Sequence, residues 1–543
     1  MIFKFSTANL YPDPACVKRN FAATTCEVKS ETKTDTRFNS LCPAEKRRGG
    51  LKVCPSPSDA SQPVEKIIIL GGGITGLTTA WELSKHSKLP ILLIEKNACA
   101  GGLAGSLRRK DLIFDFGSHR IHEQYDPEVF GIIKDLLGSE LLKRPRRGQI
   151  RIQGKFLDYP PAITQVLTSF GFAEGARFFR DFLLSRNYFF FIPGRRMAHN
   201  RGTSFEEYAT HAVGKRLYEN FYKPYALKLW GVSPSGLSFE PAVSRVKKFE
   251  VRAVWNEVKK KATGANARYS FYYPARGFGQ IAEKIQERFI ANGGEILFES
   301  SVESLELNDD SEIEAVHVRV AGGASRRVPS KLFISTAPID VLHRLVCSAR
   351  GESESGNLGL TWRSLRILYL FTPDKVPSEH ETYYFPEPDV IFGRVSEPAK
   401  YSPFLHQATE KSALVIEIPC TFDDEVWNME DKVIAARCIS DLRKLNILSL
   451  ESRGTSEHFS HKIKNLYPVY EFGWKENLEK ALQRFNLIKN LYFVGRPALF
   501  LHCNVDHCMA MALKLARFLS AGDGIREDWE RSLNDIFRLS LHD

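Results

Sequence analysis

Two short apolar runs, Ile67–Leu70 and Ile91–Ile94, flank a stretch from Thr75 to Leu83 in which apolar residues recur at helical spacing. Unbroken apolar runs bounded by glycine and proline mark parallel strands buried on both faces. Strand, helix and strand within about 30 residues is the length of one βαβ unit. Downstream, Asp126 to Leu142 reads as helical, and helical spacing dominates from Ile163 to about Lys261, broken at Pro193-Gly194 and Ser233-Pro234. Strand-like runs return at Glu295–Leu307, Lys331–Ser335, Leu365–Phe371 and Ala413–Ile418. From Ile525 onward, Trp529, Leu533, Ile536 and Phe537 fall on one face of a helix that docks on the body. The chain alternates between nucleotide-domain and other material, so neither domain is one continuous segment.

The chain has 543 residues, 43% of them hydrophobic and 26% charged, so a sizeable core is expected and disorder throughout is excluded. No apolar run approaches the roughly 20 residues that span a bilayer. The 75 Lys and Arg against 64 Asp and Glu leave a surplus of +11. It is spread along the chain, which favours small acidic ligands over nucleic acid. Ten cysteines, none in a Cys-x-x-Cys pair, fit reduced thiols in an intracellular compartment rather than a disulfide scaffold. Residues 1–64 lack periodicity and read as a disordered leader. Their ten Lys and Arg and many hydroxyl residues leave room for organellar targeting, but six acidic residues are more than a transit peptide usually carries.

The glycines after the first strand carry the chemistry. Gly71-Gly72-Gly73-Ile74-Thr75-Gly76 satisfies G-x-G-x-x-G, follows a strand, opens a helix, and is answered 19 residues later by Glu95 at the end of the next strand. In such a loop Gly71 permits the turn, Gly73 lets a pyrophosphate approach the backbone, and Gly76 allows helix to pack on strand. The helix N-terminus at Ile74 and Thr75 offers unpaired N–H groups to phosphates. Glu95 can accept hydrogen bonds from ribose hydroxyls. Lys96 and a second glycine turn, Gly101-Gly102-Leu103-Ala104-Gly105, follow where an extended cofactor continues past its pyrophosphate.

With these motifs the chain resembles the flavoprotein superfamily of amine oxidases, protoporphyrinogen oxidases, phytoene desaturases and UDP-galactopyranose mutases, over nearly all of residues 65–520. The resemblance implies FAD. It implies an α/β fold, with a Rossmann-type FAD-binding domain assembled from discontinuous segments and a helical and mixed-sheet substrate domain. The FAD segments are expected at 65–144, 276–359 and 476–520, the helical cap at 145–275, the substrate sheet at 360–475 and an amphipathic helix at 521–543. Val302, after Asn292-Gly293-Gly294, stands where the superfamily clasps the adenine edge. Phe333 to Pro338 resembles the strand that re-enters the FAD domain. Gly495-Arg496 resembles the closing motif, with Arg496 near the pyrophosphate or ribityl chain. Asn504, Val505 and Asp506 open a helix whose N-terminus faces the flavin pyrimidine ring, with Asn504 as N-cap.

Within the superfamily the nearest branch is mutase-like. Phe221 to Gly231 resembles F-x-K-x-Y-x-x-K-x-W-G, which contains Tyr225 and Trp230. Phe116 to His122 resembles G-A-H-I-F-H and sets His119 beside the flavin. Phe392 to Glu397 resembles T-R-I-x-E, whose Arg, here Arg394, holds substrate phosphate with help from Arg245. Each has an ordinary alternative: a buried histidine, a core aromatic, half of an ion pair. The mutase tyrosines are absent, with Phe500 and His502 in their places and Asn504 replacing an acid.

Two reactions follow from the resemblance. One is an FAD-dependent oxidation, with hydride passing from an organic small molecule to flavin N5, oxygen as default acceptor, and His119 with Tyr467 or Tyr470 shaping the substrate side. The other is a redox-neutral mutase reaction on a nucleotide sugar. A non-catalytic carrier of the same fold would not need the intact fingerprint. His502 to Cys508 matches no common zinc spacing, so no metal is expected. The aromatic-basic stretch from Phe178 to Arg196 forms either a cavity wall or a peripheral membrane contact. Oligomeric state is not set by these residues.

Overall fold

A computed structural model describes residues 64–109, 112–159, 165, 169–171, 174–175, 177, 180–181, 184, 202–240, 270–352, 358–372, 379–405, 412–448, 457–522 and 526–539. Nearly all of the leader, the Phe178–Arg196 stretch apart from three isolated positions, and Arg245 lie outside the described residues.

The first strand, Lys66–Leu70, runs parallel to Ile91–Ile94 on one side and to the second half of Ser325–Ser335 on the other. Ile68, Ile69 and Leu93 are fully buried, as an apolar run with both faces covered requires. Helix Ile74–Ser84 packs on this layer beside Gln280–Ala291 and Val505–Ala521. Glu295–Leu297 extends the parallel layer past Ile91–Ile94, and Leu491–Phe493 closes it beside Phe333–Ser335. Strand Ser325–Ser335 belongs to two patterns. Its first half continues an antiparallel meander with Ile313–Arg319 and Ser301–Leu307, and its second half joins the parallel layer.

The second sheet has seven strands, in the order His458–Val469, Thr361–Thr372, Ser412–Cys420, Arg394–Ser396, Thr382–Tyr384, Gly148–Ile152, Lys155–Tyr159. Strand Thr361–Thr372 shows the period of two. Leu368 and Leu370 face helix Asp431–Lys444, whereas Leu365, Ile367, Tyr369 and Phe371 face the hairpin Ser106–Arg109/Leu112–Asp115 from the first third of the chain. That hairpin carries the chain across to the second sheet.

The expected helix from Asp126 to Leu142 is shorter. Asp126 caps a helix over Pro127–Leu137, Gly138 with φ +53 ends it, and Leu141–Pro145 is a strand paired with Ser270–Pro274. The apolar residues Leu141 and Leu142 fit both periods, and the left-handed glycine decides between them. Helices Phe205–Val213 and Lys223–Trp230 are described within the helical stretch. The tail helix, Arg526–Leu539, buries Trp529, Leu533 and Ile536. Among the described residues no helix is long and apolar enough to cross a membrane.

Arg366, 1% exposed, interrupts the apolar run of Thr361–Thr372 on the face that meets helix Asp431–Lys444. Its guanidinium donates to the carbonyls of Val426 (3.0 Å) and Met429, to Ser460 Oγ (3.3 Å) and to the Asp431 carboxylate. It thus ties the end of one helix and the start of the next to the sheet. Replacing it strands several acceptors at once. Arg366→Met is expected to lower unfolding free energy by about 2–4 kcal/mol. Asp431→Asn, at a half-exposed carboxylate, should cost about 1 kcal/mol. Midpoints of urea unfolding at unchanged slope measure both.

Candidate functional site

The glycine loop is built by exclusion of side chains. Gly71 has φ +105, and a Cβ there would lie 2.5 Å from Thr336 Oγ1, while one on Gly76 would lie 1.9 Å from the Gly71 carbonyl oxygen. No L-residue with a side chain fits at either position. Gly73 differs: nothing lies within 4 Å of where its Cβ would be. Its backbone faces open space, a cradle rather than a packing contact.

Three other segments converge on this loop. Thr336, just past the strand Ser325–Ser335, donates its hydroxyl to the Leu70 carbonyl (3.0 Å). Gly101 N–H donates to Gly72 O (2.7 Å), and a Cβ on Gly102 would stand 3.1 Å from Gly73 Cα. Gly495 sits against Thr75, with 2.9 Å between its hypothetical Cβ and Thr75 Oγ1. The second glycine turn and the closing Gly-Arg therefore adjoin the fingerprint, and Leu103 packs, partly buried, against the cluster that holds Leu107, Phe114 and Leu466.

Glu95, 5% exposed, accepts from Gly72 N–H (2.7 Å) through one oxygen and from Asn97 N–H (2.8 Å) and Nδ2 (2.7 Å) through the other. Two oxygens offer about four acceptor positions, so one remains for a ribose hydroxyl. Sequence reading missed the dual role: the carboxylate also fixes the loop. Lys96 is exposed. Val302 lies on strand Ser301–Leu307, just past Ser300, whose N–H donates to the Glu95 carbonyl (3.0 Å).

Arg496 donates to the carbonyls of Leu466 (2.6 Å) and Cys503 (3.3 Å) and lies over the Tyr467 ring. Its Nε is buried without a hydrogen-bond partner. Val505–Ala521 begins directly after Asn504, but the Asn504 side chain makes no capping bond there. Asn504 holds the expected N-cap position with extended backbone, and its side chain is exposed. The positive end of the helix dipole lies there and favours an anion. Asp506 is buried in this first turn, 3.3 Å from His507 Nδ1.

On the other side of the cleft, Phe116 to Arg120 crosses to the second sheet. Ser118 N–H donates to Glu417 Oε1 (3.1 Å). Glu417 also accepts two bonds from Arg394, Nε at 2.7 Å and Nη2 at 2.5 Å. Arg394 and Glu417 face each other in strand register, which the sequence motif did not reveal. The charge expected to hold a substrate phosphate is paired within the protein. His119 stacks on Phe278 (centroids 4.8 Å apart), with Nδ1 buried and unpartnered. Burial first, then Arg394 and Arg496, push its pKa down to about 3. The imidazole is neutral at physiological pH.

The remaining expected residues separate. Trp230, 2% exposed, packs against Phe205 in a core with Tyr208, Tyr218 and Val469, so its place is structural. Tyr225 stacks on Phe221 (5.9 Å), which packs beside Tyr384. Tyr470 is buried and gives its hydroxyl to the loop, donating to Phe500 O (3.2 Å) and accepting from His502 N–H (2.9 Å). Tyr467 stacks on His502 (5.0 Å) and lies under the Arg496 guanidinium (5.2 Å). Unforeseen from sequence are Arg120, bonded to Glu381, Thr382 and Tyr401, and Lys228, whose ammonium donates to four backbone carbonyls between Phe385 and Phe392. Burial pushes the Tyr384 phenol up, but Arg120, Arg394 and Arg146 outweigh it and leave it below the usual tyrosine range.

The open cradle at Gly73, the helix start at Val505, the partnerless Arg496 Nε and the His119 nitrogen all fit a bound phosphate-bearing flavin. Comparison with known proteins agrees. The chain is similar over residues 74–513 to the family described as flavin containing amine oxidoreductase. Among solved structures it resembles reduced UDP-galactopyranose mutase, with TM-score 0.67, 21% identity, and coverage of 85% of this chain and 96% of that one. It resembles a putative protoporphyrinogen oxidase from Exiguobacterium sp. 255-15, with TM-score 0.62, 16% identity, and coverage of 84% and 99%. It also resembles cyclohexylamine oxidase from Brevibacterium oxydans IH-35A, with TM-score 0.56, 13% identity, and coverage of 85% and 99%. These likenesses are of fold, whereas the family match spans most of the sequence: the chain belongs to the flavin-containing amine oxidoreductase family.

Proposed function

We propose that the protein is an FAD-dependent oxidoreductase that takes hydride from a small organic substrate. One observation carries the choice over a mutase: Arg394 is held in a two-point ion pair by Glu417. A departing diphosphate needs unneutralised cations and phenolic donors, and this cleft presents a neutralised arginine with Phe500 and His502 in place of tyrosines. FAD rather than FMN is supported by the intact dinucleotide loop with Glu95 beside it.

Bound flavin supplies a two-electron acceptor for hydride. The chain supplies the rest. Gly71 to Gly76 and the start of Ile74–Ser84 receive the pyrophosphate, and Glu95 receives a ribose hydroxyl. Arg496 and the helix start at Val505 favour negative charge near them, which stabilises a reduced, anionic ring. His119 holds a buried, unpartnered neutral nitrogen beside Phe278, and Tyr467 stacked on His502 lies beside Arg496.

Glu95→Ala with Arg496→Ala removes two charge-assisted contacts, about 3–6 kcal/mol together, so flavin should be held roughly 10²- to 10⁴-fold more weakly. Absorbance of the purified variant measures it, and an unchanged yellow protein would overturn the cofactor assignment. Anaerobic mixing with candidate amines and other hydride donors should bleach the flavin. Turnover of a nucleotide sugar only after dithionite reduction would instead establish the mutase. The folded pKa of His119 lies below the unfolded 6.5, so its contribution to stability is complete above about pH 6.5 and is lost as pH falls toward 3. His119→Gln should flatten stability in that window, and NMR of the imidazole should show no titration between pH 5 and 8.

A further inference from the structure

The segment that closes the flavin seat holds a pair of thiols with no part in the chemistry above. Cys503 precedes Asn504, and Cys508 lies on the helix Val505–Ala521. Both are buried, and their sulfurs stand 3.8 Å apart. The two sulfurs share one hydrogen bond. Cys508 lies in the first turn of its helix, and the Arg496 guanidinium, which donates to the Cys503 carbonyl (3.3 Å), adds positive charge nearby. A sulfur at a helix start and beside a cation is arranged for a thiolate.

Other buried cysteines behave differently. Burial pushes Cys420 up to about 11 and Cys438 up to about 12. Cys508 is drawn down to about 7, first by the Cys503 thiol, and Cys503 is pushed up correspondingly. One sulfur is thus set as nucleophile and its neighbour as the proton-bearing partner.

We propose that Cys503 and Cys508 form a redox-active dithiol that hydrogen peroxide converts to a disulfide, with Cys508 as the attacking sulfur. The Cys508 thiolate attacks one peroxide oxygen; an S–O bond forms, the O–O bond breaks, and the hydroxide released takes a proton to become water. The Cys503 sulfur then attacks Cys508; the S–S bond forms, the S–O bond breaks, and the hydroxyl leaves with the Cys503 proton as a second water. Two thiols are oxidised by two electrons and one peroxide is reduced. Closure brings the sulfurs from 3.8 Å to about 2.05 Å, within reach of side-chain rotation.

The test uses the full chain as purified, reduced, desalted, exposed to hydrogen peroxide, then alkylated and digested with trypsin. The peptide Asn490–Lys514 contains both cysteines, because the Arg496-Pro497 bond resists cleavage. It should appear two hydrogens lighter and unalkylated. Its oxidation should run about 10²- to 10³-fold faster than that of Cys420 or Cys438, the larger gain in thiolate fraction being partly offset by the lower nucleophilicity of a less basic thiolate. Cys503→Ser should leave a dimedone-trappable sulfenic acid on Cys508, and Cys508→Ser should leave Cys503 unreacted. The proposal is overturned if both cysteines remain alkylatable at peroxide levels that oxidise Cys420, or if dimedone marks Cys503. The mass of this peptide is read without reference to flavin content, so its outcome is separate from that of the cofactor test.

Discussion

The structure depends on one point of convergence at which side chains are excluded. Four stretches far apart in sequence meet there: the loop after the first strand, the glycine turn at 101–105, the end of Ser325–Ser335 and the turn at Gly495. Each contributes backbone or a small hydroxyl residue, because the gaps between them are smaller than a methyl group needs. The exception is Gly73, which faces space. The packing that holds the segments together is therefore what leaves a shaped surface for phosphate.

A second theme is internal pairing of charge. Arg394 with Glu417, part-buried, and Arg120 with Glu381, buried, link the crossing segment 116–120 to the second sheet. Paired charges of this kind add little net stability, but removing one partner leaves the other stranded, so they fix geometry. Arg496 differs, since its described partners are carbonyls and an aromatic ring. Among its described contacts no carboxylate neutralises it.

Much of the seat was legible because its signals are local. The fingerprint, Glu95 and the second glycine turn occupy one unbroken stretch, and their spacing carries the geometry. What was illegible was long-range. Glu417 has no motif of its own and gains meaning only from its register opposite Arg394. Trp230 shares a pattern with mutases yet turns into a core with Phe205, since a pattern fixes position along a helix and not what its face meets. Tyr470 looked like a ring neighbour but holds the 500–502 loop through its hydroxyl. Asn504 holds the N-cap position, but its side chain makes no capping bond. Of the dual-purpose strand Ser325–Ser335 only the end, Lys331–Ser335, was legible, because its start is polar and exposed.

That strand sets an order of events during synthesis. Thr336 bonds Leu70 across 266 positions, and Leu491–Phe493 must still arrive to cover the last edge. On the ribosome the first βαβ unit waits with unsatisfied backbone on both flanks while most of the polypeptide is still to be made. The glycine loop opens the described fold and is the last part of it to be completed, so its surroundings are whole only when almost the entire message has been read.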